Sequence, residues 1–221
     1  MSIETEHFTP VSSEPVFTVL GMEAVPGALT PTLRFELHVT EPEGLEVHTI
    51  ALTTQVQIEP AKRVYDAGTR ERLEELFGAP ERWGATTQNF QWVQVGALVP
   101  GFVGSTTFHI EIPCTYDLEV AAAKYFYALP DGEVPLAFHF TGMVLYAGDA
   151  DRLQVRPVPW SCSARWRMPV DRFKQAIAAC YPGGGWIRLA PDTLDALHRR
   201  RAAVGHHSFD AVVTELLEDA G

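Results

Sequence analysis

Hydrophobic and polar residues alternate with a period of two through most of the chain. Leu33, Phe35, Leu37 and Val39 alternate with Arg34, Glu36, His38 and Thr40, which predicts a half-buried strand with one wet face. Val16 to Gly21 predicts a strand before it, with a turn at Pro26-Gly27. Glu41-Pro42-Glu43-Gly44 is a turn by composition. In the next strand Ile50, Leu52, Thr54, Val56 and Ile58 fall on one face, and Thr49, Thr53, Gln55, Gln57 and Glu59 on the other, before Pro60.

The period then changes. Leu73, Leu76 and Phe77 lie at helical spacing among charged residues, so Thr69 to Phe77 reads as one short helix crossing between sheets, stopped by Gly78 and Pro80. Phe90 to Val99 returns to strand character, with a turn expected at Pro100-Gly101. Thr106, Phe108, Ile110 and Ile112 form another strand closing at Pro113. Residues 114 to 129 are ambiguous. Ala121 to Ala123 favour helix and Tyr125-Phe126-Tyr127 favours strand. The strand is preferred, because Pro130-Asp131-Gly132 resembles a hairpin turn into Leu136 to Tyr146. The clearest alternation sets Trp160, Cys162, Ala164, Trp166 and Met168 against Ser161, Ser163, Arg165 and Arg167. A helix after Pro169 aligns Val170, Phe173, Ile177 and Cys180.

About eight closely spaced strands predict a mainly β (α+β) fold, an antiparallel β-sandwich or open barrel with a short crossing helix and C-terminal helices. No regular strand-helix alternation supports a doubly wound parallel sheet.

Three segments are expected. Residues 1–14 are a polar, acidic and disordered lead-in. Residues 15–182 form the β-sandwich. Residues 183–221 form a strand-helix-helix appendage, joined through a glycine hinge at Tyr181-Pro182-Gly183-Gly184-Gly185-Trp186. In the appendage, Pro191 suits the first position of a helix and Leu194 and Leu197 its buried side. Gly205 ends it. Ser208 caps a second helix with Phe209, Val212, Val213, Leu216 and Leu217 in one stripe.

Ile187-Arg188-Leu189, Thr193-Leu194, Leu197, Gly205, Ser208-Phe209 and Leu216-Leu217 give this tail a resemblance to the ribbon-helix-helix family. The resemblance implies a strand paired across a homodimer, with Trp186 and Arg188 facing outward toward DNA. From Gly183 to Gly221, four arginines oppose six acids, a net charge of −2 that argues against nucleic acid. The homodimer remains, alongside simple packing of the two helices on the sandwich.

Composition narrows the class. The formal net charge of −11 over 221 residues disfavours nonspecific contact with nucleic acid or anionic membranes. The three cysteines, Cys114, Cys162 and Cys180, are odd in number and widely spaced, so no disulfide framework is expected. With no signal pattern and no membrane-length apolar run, the expected location is cytoplasmic.

Six runs give the whole chain a second resemblance. They are Thr54-Gln55-Val56-Gln57-Ile58-Glu59-Pro60, Leu98-Val99-Pro100-Gly101-Phe102, Tyr116-Asp117-Leu118-Glu119-Val120, Leu129-Pro130-Asp131-Gly132-Glu133-Val134-Pro135-Leu136, Val158-Pro159-Trp160-Ser161-Cys162 and Tyr181 to Leu189. Through them the chain resembles an uncharacterised, mostly actinobacterial family whose genes often lie near nickel-iron hydrogenase clusters. The resemblance implies an accessory role and supplies no catalytic residues.

Chemistry is sparse. His38, His109, His139, His198, His206 and His207 form no ligand spacing for a metal, and no cofactor is expected. His206-His207 reads as a solvated turn pair. Cys162 and Cys180 lie on apolar faces, which leaves Cys114 as the most exposable thiol. There is no G-x-S-x-G, and the glycines at 183 to 185 follow a helix and lack the lysine of a phosphate loop. Phe90, Trp92, Tyr125, Phe126, Tyr127, Phe138, Phe140, Trp160 and Trp166 read as an aromatic core, or in part as the lining of a ligand groove. Arg156, Arg165 and Arg167 read as a guanidinium row on one sheet face, able to take an acidic partner or to pair with Glu59 or Glu111.

The resulting expectation is a non-enzymatic accessory or scaffold protein acting through protein-protein contact, with Arg156, Arg165, Arg167, Trp186 and Arg188 as interaction residues. The alternatives are a DNA-binding regulator using the tail and a ligand-binding β-sandwich.

Overall fold

A computed structural model describes residues 14–114, 120–148, 152–180 and 188–220. The hinge expected at Tyr181 to Trp186 lies outside these residues, as does the first half of the strand expected at Trp186 to Leu189. The chain divides into two compact units, residues 1–184 and 185–221.

The first unit is built on two antiparallel sheets that do not close into a barrel. Sheet one has the order β1-β2-β5, from β1 (Val16–Ala24), β2 (Thr32–Thr40) and β5 (Ser105–Pro113). Sheet two has the order β4-β3-β6-β7, from β3 (Glu46–Ile58), β4 (Phe90–Val103), β6 (Glu133–Ala147) and β7 (Leu153–Val158), and β8 (Ser163–Pro169) also pairs with β6. Period-two alternation puts one face of each sheet inward. Leu33, Phe35, Leu37 and Val39 of β2 have no exposed surface. Burial of this kind contributes roughly 1.5–3 kcal/mol per large side chain. Rings cross between the sheets. Phe17 stacks on Phe140 at 4.2 Å, and Phe35 meets Phe138 and Trp166 edge-on at 5.5 and 5.7 Å.

Short helices close one region of this core: α1 (Ala67–Arg72), α2 (Glu74–Phe77), α3 (Trp83–Thr86), α4 (Ala121–Ala128) and α5 (Val170–Cys180). The single helix expected over 69–77 is two, joined at the buried Leu73. Asp66 starts α1, its carboxylate accepting from the Thr69 amide at 2.8 Å and the Thr69 hydroxyl at 2.7 Å. Those bonds, the hydroxyl's first, hold the Asp66 carboxyl below its ordinary range.

Three sequence expectations change. The strand expected within 114–129 is helix α4 where the chain is described, and residues 115–119 lie outside the description. Burying Tyr125 and Phe126 side by side against Phe77, Phe90, Trp92 and Phe173 overrides their strand preference. The turn expected at Pro100-Gly101 falls at Gly104, where φ is +75°. Strand β4 runs through Pro100, which an edge strand tolerates because it needs donors on one side only. Gly101 passes so close to β3 that a Cβ there would lie 2.9 Å from the His48 carbonyl. Finally, Trp160 is outside β8, in a turn closed by the Cys162 amide on the Pro159 carbonyl, and is 88% exposed.

The second unit holds α6 (Pro191–Val204) and α7 (Phe209–Asp219). Pro191 occupies the first turn of α6, Gly205 ends it at φ +72°, and the Ser208 hydroxyl accepts from the Ala211 amide at 3.1 Å. Leu194 and Leu197 are not buried. Among the described residues of this unit only Val212 is. Arg201 lies over the Phe209 ring at 4.4 Å.

Candidate interaction surface

The outer faces of the two sheets differ. Sheet one presents charged and polar side chains in register. Arg34 sits between Glu23 and Glu111, bonding Glu111 through Nε at 3.0 Å and Nη2 at 2.7 Å. Glu36 lies opposite His109, and His38 opposite Thr107. With Gly21 and Met22, residues Glu23, Arg34, Glu36 and His109 line an open hollow of about 390 Å³.

Sheet two presents apolar side chains. One row across four strands reads Leu98, Ala51, Met143, Pro157. The next reads Pro100, Thr49, Leu145, Val155. Leu98 is 75% exposed, Val155 57% and Met143 49%. Further along the strands come Gly96-Thr53-Thr141, then Gln94-Gln55-His139-Ser163, then Gln91-Gln57-Ala137-Arg165. Gln55 donates to Gln91 at 2.8 Å. No Asp or Glu stands in these five rows, although the chain carries 28 acids. An antiparallel sheet whose outer face meets water is normally polar there, as sheet one is. An apolar patch of several adjoining side chains marks a contact surface.

The arginine row divides. Arg165 and Arg167 are exposed on the outer face of sheet two, and Arg165 reaches Glu59 at 3.5 Å. Arg156 lies opposite the buried Val144, out of that row. It clamps the β2–β3 turn instead, bonding the buried Glu41 at 2.6 Å and Glu43 at 3.0 Å over the Tyr146 ring. Glu111 is taken by Arg34. Arg188 is exposed just before α6.

Other candidates find structural partners. Cys114, expected to be the most exposable thiol, is buried, and that burial pushes its pKa up to about 12. His206, expected to be solvated, meets Glu215 at 2.8 Å; this bond leads the effects that lower the Glu215 pKa. Tyr125, Phe126, Phe138 and Phe140 are core, Phe90, Trp92 and Trp166 are half-buried, and Tyr127 and Trp160 are exposed. The Tyr65 hydroxyl donates to the Pro60 carbonyl at 2.8 Å and accepts from Tyr125 at 2.7 Å. Among the described residues no three His, Cys, Asp or Glu side chains group as a metal site, and no helix is long and apolar enough to cross a membrane.

No curated protein matches the chain. A solution structure described as a late embryogenesis abundant (LEA) protein is similar at 9% identity and TM-score 0.33, over 72% of each chain. A family model described as a family of unknown function (DUF6084) matches residues 12–221, and the chain belongs to that family.

Proposed function

We propose that the protein is an accessory or scaffold protein working in the cytoplasm, without catalysis of its own, through protein-protein contact. The outer face of sheet two carries this reading: apolar rows open to water, without carboxylates, in a chain of net charge −11. The resemblance to a family encoded near nickel-iron hydrogenase genes makes hydrogenase assembly the setting to test first. In the native host, tagged protein should enrich hydrogenase subunits or maturation proteins, and Leu98→Glu with Met143→Glu should lose them. Capture that ignores the variant, turnover of a substrate, or stoichiometric metal retained through dialysis would overturn the reading.

A second reading rests on the tail. Arg188, Arg199, Arg200 and Arg201 share a two-helix unit with only one buried side chain among its described residues, as a ribbon-helix-helix dimer bound to DNA would need. Salt-sensitive binding to upstream DNA, abolished by Arg188→Ala, is its requirement. Wild-type protein without such binding ends it.

A further inference from the structure

We infer that Cys114 and Cys180 are a redox pair, which a small disulfide such as glutathione disulfide converts into an intramolecular bridge. Both residues lie in the first unit, and neither belongs to the outer face of sheet two.

Both cysteines are fastened to the same short connection, between Ala24 at the end of β1 and Thr32 at the start of β2. The Cys114 amide, just past β5, donates to the Pro31 carbonyl at 2.7 Å. The Cys180 thiol, at the last residue of α5, donates to the Ala28 carbonyl at 3.6 Å. Those carbonyls are three residues apart in the chain, a span of at most about 10 Å. Burial is the main cause that raises the Cys114 pKa, and charge on Cys180 adds to it, as a neighbouring thiol does. A disulfide joins α-carbons about 4.4–6.8 Å apart. Any remaining approach falls to the last turn of α5, and helix ends fray readily. Cys162 is held elsewhere, its thiol donating to the Pro15 carbonyl at 3.4 Å just before β8.

The two thiols differ in access. Cys114 is 3% exposed, while Cys180 is half-buried. Exposure assigns the first step to Cys180. Its deprotonated sulfur attacks one sulfur of glutathione disulfide. The S–S bond of the oxidant breaks, a bond from Cys180 to glutathione forms, and one glutathione thiolate leaves. Cys114 then attacks the Cys180 sulfur and displaces the second glutathione. Each protein thiol proton ends on a departing glutathione thiolate. Two protein thiols and one glutathione disulfide thus give one protein disulfide and two glutathione thiols. Burial pushes the Cys114 thiol up to about 12, so this second step is slow, on the order of minutes to hours.

The bridge ties the end of β5 to the end of α5 and closes a loop of about 66 residues that carries α4, β6, β7, β8 and α5. The chain passes from Cys180 toward the second unit. Oxidation therefore fixes the point at which the chain leaves α5, and reduction lets that last turn fray.

The test holds the reduced full chain, folded and at neutral pH, in glutathione disulfide. It is then quenched in acid, unfolded, alkylated and mapped by mass spectrometry. Wild type should lose two thiols, carry a Cys114–Cys180 link with no retained glutathione, and leave only Cys162 alkylated. Its urea midpoint should rise by about 1–2 M over the reduced protein, the gain from closing a loop of this length. Cys114→Ala should stop after the first step, with glutathione retained on Cys180. Cys180→Ser should leave Cys114 a free thiol throughout. A wild type that retains glutathione on Cys180, stays fully reduced or bridges through Cys162 overturns the inference. So does a bridge that fails to raise the midpoint, since the two thiols then adjoin only in unfolded molecules. The wild-type map decides the outcome even where Cys114→Ala folds poorly.

Discussion

Replacing Arg156 by alanine tests the assignment of this arginine to a structural clamp. Glu41 is 3% exposed, and its carboxylate has two close donors, Arg156 Nη2 at 2.6 Å and the Leu45 amide at 2.8 Å. Arg156→Ala leaves that carboxylate buried with one donor. Removing one partner of a buried ion pair costs about 3–5 kcal/mol. The Arg156 side chain keeps 22% of its surface in water, which places the expected loss at the low end, about 3 kcal/mol. With a urea dependence of about 2 kcal/mol per molar for a domain of this size, the midpoint falls by about 1.5 M. Arg165→Ala is the matched control. Its side chain is 70% exposed and 3.5 Å from Glu59, so its loss costs below about 0.5 kcal/mol. Urea unfolding at neutral pH, followed by tryptophan fluorescence, reads both. Arg156→Met combined with Glu41→Gln should recover much of the stability, because the stranded charge is gone. If Arg156→Ala and Arg165→Ala unfold at the same midpoint, Arg156 is a surface residue in solution and the clamp is refuted.

Two further outcomes follow from close contacts in the first unit. At Gly142, φ is +153° and a Cβ would lie 2.1 Å from the Ala51 carbonyl oxygen, so Gly142→Ala should cost more than about 2 kcal/mol in the same urea assay. A variant within about 0.5 kcal/mol of wild type would show that β3 and β6 are not so closely apposed there. Burial raises the pKa of both Tyr65 and Tyr125 above the ordinary 10.0. Above that pH the unfolded chain gives up tyrosine protons that the folded pair retains, so stability is full below pH 10 and declines as pH rises through it. Tyr125→Phe should cost about 0.5–1.5 kcal/mol at neutral pH and flatten the alkaline decline. An unchanged slope in chemical unfolding between pH 9 and 11 would count against the buried pair.

The strands were legible wherever one face meets the core and the other meets water. In β2, and in β5 from Thr107 to Ile112, apolar and polar residues alternate, and the register follows. Helix α5 was legible for the matching reason, since Val170, Phe173 and Ile177 lie at helical spacing and are all buried. Helix α4 was not legible. Three consecutive aromatic residues favour a strand locally, and only the rings of Phe77, Phe90, Trp92 and Phe173, brought from elsewhere in the chain, make a helix the better solution. Pro100 misled for a topological reason: proline signals a turn unless the strand is an edge, and edge status depends on strand order.

The apolar face of sheet two was hidden for a deeper reason. Along β3 the outward residues Thr49, Ala51, Thr53, Gln55 and Gln57 look like an ordinary polar face. Nothing in any single strand marks it as a contact. The apolar row appears only when register sets Leu98, Ala51, Met143 and Pro157 side by side, residues drawn from four strands. The expected arginine row failed through the same dependence on register. Arg156 and Arg165 lie on opposite sides of the turn at Pro159 to Cys162, and β7 and β8 pair with different stretches of β6. Periodicity carries no phase across that turn. Arg156 therefore belongs to Glu41 and the β2–β3 turn, while Arg165 stands exposed on the outer face of sheet two, 3.5 Å from Glu59.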